Sequence, residues 1–213
     1  MRRKRKRLLA SKKKVDPEKE KIKFIDAIEK GYYGIAVQAV QVLKRFPHIN
    51  TLLKDTYPML QAVDQMNLKM VRLLIDSGFD LNRTNKKGES CFHILTKHPE
   101  AIAVKWTIIF HTLLKQGANR WIRDQQGNLA MDLCKMTYQR DCFEKVPKTV
   151  FESVYTLDSK SLILHFENGS TANQKDNQGI PLIYLLENMF TVHGKERTDT
   201  TPIQTILYAN GAF

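Results

Sequence analysis

The sequence predicts an all-α solenoid of helix–turn–helix units joined by β-hairpin loops, and three observations carry that prediction. The first is a repeat. The stretch Gly78 to His93, GFDLNRTNKKGESCFH, aligns without a gap on Gly117 to Asp132, GANRWIRDQQGNLAMD, and Gly169 to Gly179, GSTANQKDNQG, repeats its first part. The second is what precedes each copy: Leu73, Leu74 and Ile75, then Leu113 and Leu114, then Leu162, Ile163 and Leu164, apolar helix ends running into a glycine. The third lies inside the repeat, where two glycines ten positions apart carry Asn or Asp three before the second. Glycine takes the positive-φ corner and an Asx side chain bonds the turn backbone, which suits a hairpin. The unit is helix, glycine turn, hairpin, helix.

The chain opens on MRRKRKRLLASKKK, with nine Lys or Arg in fourteen residues and no acid. These nine supply most of the net charge of +12, leaving +3 for residues 15 to 213. Such a block repels itself and buries no apolar surface, so residues 1–15 are expected to be disordered. Arg2, Arg3, Lys4, Arg5, Lys6 and Arg7 fit a nuclear import address, a contact with nucleic acid or an anionic membrane, or a solubilising tail. Asp16-Pro17-Glu18 then supplies an N-cap, a proline at the first helical position and an acid in the first turn. Phe24, Ile25 and Ile28 make the apolar face of that helix, and Gly31 breaks it. A second helix over 35–46 has Val37, Val40, Leu43 and Phe46 as its predicted buried stripe, and Pro47 closes it. This pair reads as an amino-terminal cap, with Lys21, Lys23, Glu29 and Lys30 facing water.

Further along, Tyr57-Pro58-Met59-Leu60-Gln61-Ala62 opens a helix, as do Ser90-Cys91-Phe92-His93 and Leu129-Ala130-Met131-Asp132. His98-Pro99 ends one of these before Trp106 to Leu114 form the next. Between Thr137 and Asp158 lies an expected insertion, with Pro147 breaking a loop and one short helix within Lys148 to Tyr155. Thr191 to Thr200 is polar and reads as an exposed loop, and Asn210-Gly211-Ala212-Phe213 resembles the end of one more helix.

In this order of parts the chain resembles the ankyrin-repeat family, from about Phe24 to Phe213. The family's usual sequence is Gly-Ala-Asp after the outer helix, Asp-x-x-Gly in the hairpin, then Thr-Pro-Leu-His-x-Ala opening the inner helix. Here Gly117-Ala118-Asn119, Asp124 and Gly127 match it, as do Gly78 to Asn82 with His93, and Asp176 to Leu182 more loosely. The intervals from Gly78 to Gly117 and on to Gly169 are 39 and 52 residues, longer than the family period of about 33, so residues are inserted. The predicted organisation is a tail, 1–15, and a repeat domain, 16–213, in units 16–50, 51–82, 83–119, 120–173 and 174–213. The resemblance implies that His93 bonds the backbone of the neighbouring hairpin and that Asp132, in the equivalent place, bonds a hairpin N–H.

The chain carries few motifs of reactive chemistry. The chain has no phosphate-binding glycine loop, no GxSxG and no HExxH. Cys91, His93 and His98 are the best metal candidates, lacking a fourth ligand, and packing explains Cys91 and Cys134 in place of a nucleophilic role. The expectation is therefore a non-enzymatic protein-binding module, an adaptor or an inhibitor by occlusion, without cofactor or metal and monomeric. The family occurs in eukaryotes, their viruses and intracellular bacteria, so a host-directed effector is one form of this reading. The alternative is a nuclear or nucleic-acid-associated factor that binds through its tail. No export signal or run of about 18 apolar residues is present, and a cytoplasmic or nuclear location is expected, within a host cell if the source is an intracellular bacterium.

The family binds partners on the concave side, formed by hairpin tips and inner helices. Carried over, the binding residues are Arg83, Asn85, Lys86 and Lys87 in one tip, Arg123 and Asp124 in the next, and Lys175 and Asp176 in the last. Arg120 and Trp121, beside Arg123, are expected as an exposed aromatic anchor, whereas Trp106 is expected in the core. The basic tips favour an acidic protein segment as partner. Asn82, eight residues after Leu74 in LLIDSGFDLN, is similar to ankyrin asparagines hydroxylated by an oxygen-sensing enzyme.

Overall fold

A computed structural model describes residues 16–46, 49–98, 103–186 and 200–212. The basic tail, Pro47, Pro99 and most of the expected 191–200 loop lie outside these residues.

The first helix, α1 (Pro17–Glu29), starts as its sequence dictates: the Asp16 carboxylate accepts the Glu18 N–H at 3.0 Å, and Phe24, Ala27 and Ile28 are buried. In α2 (Tyr33–Leu43) the buried stripe is Ala36, Ala39, Val40 and Leu43. Val37 and Phe46, expected in that stripe, are only half-buried, because the inward face follows the 3.6-residue period from Ala36 instead. There follow α3 (Ile49–Leu52), α4 (Pro58–Asp64), α5 (Leu68–Asp76), α6 (Cys91–Thr96) and α7 (Ala103–Lys115). After a 3-10 turn at Ala130–Leu133 come α8 (Thr137–Lys145), α9 (Val150–Tyr155) and α10 (Ser159–Glu167), a helical segment over 182–186, and α11 (Thr201–Ala209).

The helices stack in two layers. The inner one is α1, α4, α6 and the 3-10 turn, each packed on the next, and the outer one is α2, α5, α7 and α8. This is the two-layer stacking of a helical-repeat solenoid, the arrangement that the ankyrin-repeat resemblance implies. The hairpins between the layers are loops held by turns, not ladders. Among the described residues the only bridges are single ones, Arg123 with Leu129 and Lys175 with Pro181.

The segment 137–158 differs from expectation. It holds two helices, α8 and α9, where one short helix in a broken loop was predicted. Phe143 of α8 packs edge-on against Phe92, Trp106 and Phe110, so α8 completes a fourth helix pair, and α9 opens a fifth with α10. The described residues thus contain six inner–outer pairs in place of the five expected units. Trp106 is fully buried, stacked on Phe110 with its Nε1–H donating to Leu95 O at 2.8 Å.

The hydrophobic core divides at the same place. One cluster runs from Phe24 to Phe143, and a second from Val150 to Ala212. Polar contacts join them. Asn82 Nδ2 donates to the Tyr155 hydroxyl at 3.1 Å, Asn177 Nδ2 to Phe79 O at 2.7 Å, and the Arg120 and Glu152 charges meet at 2.9 Å.

Candidate protein-binding ridge

Each hairpin tip is built by one Asx side chain. Asn85 Oδ1 accepts the N–H of Lys87 at 2.9 Å and of Glu89 at 3.0 Å, and Asp124 Oδ1 accepts those of Gln126 and Asn128 at 2.9 and 2.8 Å. With its carbonyl or carboxylate turned inward, the turn projects its next two side chains outward, and Lys86, Lys87, Gln125 and Gln126 are all exposed. The two tips are fixed to each other. Gln125 N–H donates to Lys87 O at 3.0 Å, and the backbones approach so closely that a Cβ on Gly88 would lie 2.8 Å from Gln125 N. Gly88 itself has φ of +77°.

Behind the tips, His93 anchors α6 to the following hairpin, the role that the resemblance implied. Ser90 N–H donates to its Nδ1 at 3.2 Å, which leaves Nε2–H to meet Asn128 O at 3.1 Å. Asp132 accepts the N–H of Leu129, which closes its own hairpin by a bridge to Arg123, at 2.8 Å, a hairpin N–H as the resemblance implied.

The charges on the ridge are mainly positive. Lys86, Lys87 and Arg123 are exposed without a carboxylate partner among the described residues, and Arg123 Nη1 is steadied by Gly127 O at 2.6 Å. Two acids accompany them. Burial pushes the Glu89 carboxyl up, but Lys97 at 2.9 Å and Asn85 outweigh it and hold it below the ordinary carboxylate range. Asp124 is held low in the same way, its desolvation outweighed by the hydrogen bonds it accepts from Asn128 and Gln126 together. Both are therefore ionised and committed to the turns.

Several predicted contact residues lie elsewhere. Arg83 is half-buried, its guanidinium 5.5 Å from the Tyr57 ring and donating to Leu53 O at 3.1 Å. Arg120, expected on the surface, is 3% exposed. Its Nε lies 2.9 Å from Glu152 Oε1 in charge contact, without the alignment of a hydrogen bond, while Nη2 donates to Val146 O at 2.8 Å. Trp121 is not an exposed anchor either: it is half-buried, with Arg120 and Lys148 at 5.5 and 5.6 Å from its ring and Nε1 enclosed without a hydrogen-bond partner. Arg120 is covered by α9, whose Glu152 it meets, and Lys148, just before α9, lies over the Trp121 ring.

The last tip is also displaced. Its Lys175 is exposed, but Asn177 N–H donates to Gln116 O at 3.4 Å, and Asp176 Cβ would lie 3.1 Å from a Cβ on Gly117. That tip packs on the ends of α5 and α7 rather than beside Arg123, and burial pushes the Asp176 carboxyl up. Asn82 sits at the same joint. Its Oδ1 accepts the Asn119 N–H at 2.7 Å while Nδ2 faces Tyr155 and Gly117 O, so both ends of the amide are engaged.

The thiol candidates are interior. Burial pushes the Cys91 and Cys134 thiols up to about 12, and His98 faces Asp64 at 3.6 Å. Among the described residues no three His, Cys, Asp or Glu side chains cluster as a metal site.

No family model and no curated relative matches this chain. Among solved structures it is similar to the ankyrin repeat domain of Bcl-3, a member of the IkappaB protein family, with 16% sequence identity and a TM-score of 0.44 over 90% of this chain and 86% of that one.

Proposed function

We propose that the protein is a non-enzymatic interaction module which docks an acidic protein segment on the ridge formed by the tips at 85–88 and 124–127. An ankyrin-repeat solenoid is a general scaffold for protein contacts, since its stacked loops present an extended surface. The observation that carries the reading is the locked pair of tips, with Gln125 N–H on Lys87 O and Gly88 against the Gln125 backbone, holding Lys86, Lys87 and Arg123 outward. A rigid ridge loses little freedom on binding, and its unpaired cations steer an acidic partner. Thiols pushed up to about 12 by burial are poor nucleophiles at neutral pH, which speaks against cysteine chemistry.

The test is charge reversal on the full chain. Lys86→Glu, Lys87→Glu and Arg123→Glu together should lower affinity for a captured protein at least about a hundredfold, with melting temperature and helix content unchanged. Reversal of Lys23, Lys135 and Lys145, which are exposed elsewhere, should leave capture intact. Capture that survives the ridge reversals but disappears on nuclease treatment, with steep salt dependence, would instead assign binding to nucleic acid through the basic tail.

A further inference from the structure

We infer that the outer faces of α2, α5 and α7 form a second contact surface, one that lies against an anionic lipid bilayer. The three helices are consecutive in the outer layer, α2 packed on α5 and α5 on α7. Their exposed positions, with the two residues that follow α2, carry Lys44, Arg45, Lys69, Arg72, Lys105 and Lys115, against Asp76 on α5 and Glu29, which lines the same cleft as Lys105. No ion pair to a carboxylate forms at any of the six among the described residues; Lys44 Nζ donates instead to the Asp76 carbonyl at 3.0 Å, tying the ends of α2 and α5 together. Several cations elsewhere are paired, Lys21, Lys30, Lys97, Lys145 and Lys148 each meeting a carboxylate, and the other run of unpaired ones is the hairpin ridge. Neighbouring helix axes lie about 8–10 Å apart, close to one Debye length, so cations on adjacent outer helices act together on a charged surface laid against them.

Charge alone would suit any polyanion, and the apolar side chains among the cations decide between them. Val104, 76% exposed, and Ile108, 40% exposed, stand one turn apart on α7 next to Lys105, and Tyr33 and Ile35 are exposed at the start of α2. Aliphatic and tyrosine side chains gain free energy at the boundary between lipid headgroups and acyl chains, beside cations that attract acidic headgroups. A phosphodiester backbone offers Val and Ile nothing comparable. Among the described residues no helix is long and apolar enough to cross a membrane, so the contact is one of lying on the surface.

The experiment is vesicle co-sedimentation of the full chain with its nine tail cations replaced by Gln, so that the tail does not dominate. Binding is expected to phosphatidylcholine vesicles containing phosphatidylserine and not to phosphatidylcholine alone. Lys69→Glu, Arg72→Glu and Lys105→Glu together should reduce partitioning about a hundredfold or more. Gln at the same three positions, a milder change on an exposed face, should give a smaller loss in the same direction. Val104→Ser with Ile108→Ser should remove the part of the binding that resists salt. Reversal of Lys23, Lys135 and Lys145, an equal change in net charge, should leave partitioning as it was. The inference is overturned by no binding to the anionic vesicles, by equal binding to both vesicle types, or by outer-face variants that bind like the parent. Duplex DNA retained by the same face in place of vesicles would overturn it too.

Discussion

Gly88 and Gly127 hold the same turn position in neighbouring hairpins, with φ of +77° and +84°, yet their surroundings differ. A Cβ on Gly127 meets nothing within 4 Å, while one on Gly88 meets the Gln125 backbone at 2.8 Å. Gly127→Ala should therefore cost only the left-handed strain, about 1 kcal/mol. Gly88→Ala adds a clash with backbone that has no rotamer to yield, and about 2–4 kcal/mol is expected. Urea denaturation of the two variants measures the difference, and equal losses would mean that the tips are not locked together. The turn glycines and Asx residues were legible in the sequence because their chemistry is local. Burial of Arg120 and Trp121 was not, because it depends on Glu152 and Lys148, some thirty residues further on.

At the scale of the element, α10 rests on Asp158. Its carboxylate accepts from Ser161 N–H at 3.1 Å and Ser161 Oγ–H at 2.9 Å, and pairs with Lys148 at 2.7 Å. Lys148 first, then the Ser161 N–H, hold its carboxyl at about 2, against 3.8 for the free group. A carboxyl with a lowered folded-state pKa contributes stability above its unfolded pKa and loses it as pH falls through the folded one. Asp158→Asn keeps a capping oxygen but no charge, so at neutral pH it should lose about 1–2 kcal/mol after allowing for solvent screening. The gap from the parent protein should close as pH falls from about 4 to 2, read by denaturation across pH; a gap independent of pH would place the stabilisation in the hydrogen bonds alone. The helices of segment 137–158 had a readable signal of this same kind. Thr149-x-x-Glu152 is a capping box, with Thr149 accepting the Glu152 N–H at 3.1 Å and Glu152 the Thr149 N–H at 2.9 Å. Pro147 and the polar run of α8 obscured it, since α8 buries little beyond Gln139 and Phe143 and its apolar periodicity is weak.

The whole molecule is two apolar cores closed on each other through polar groups, and that joint decides how it unfolds. Within each cluster stability comes from area removed from water, but across the joint it depends on Arg120 with Glu152, Asn82 with Tyr155, and Asn177 with Phe79 O. Burial pushes the Glu152 carboxyl up and the Arg120 guanidinium down, each opposed by its partner's charge, so the pair offsets desolvation more than it adds stability. Removing one member is then worse than removing both. Glu152→Gln retains an oxygen for the Thr149 N–H but strands the Arg120 charge, and should lose about 3–5 kcal/mol. Arg120→Met combined with Glu152→Leu should recover most of that loss. Because the two cores share few apolar contacts, the damage should stay on one side. In Glu152→Gln, amide hydrogen exchange should quicken together across α9, α10, 182–186 and α11, while α4 to α7 keep the protection of the parent protein. Uniform loss of protection through both cores would show that they unfold as one unit and that the polar joint is no boundary.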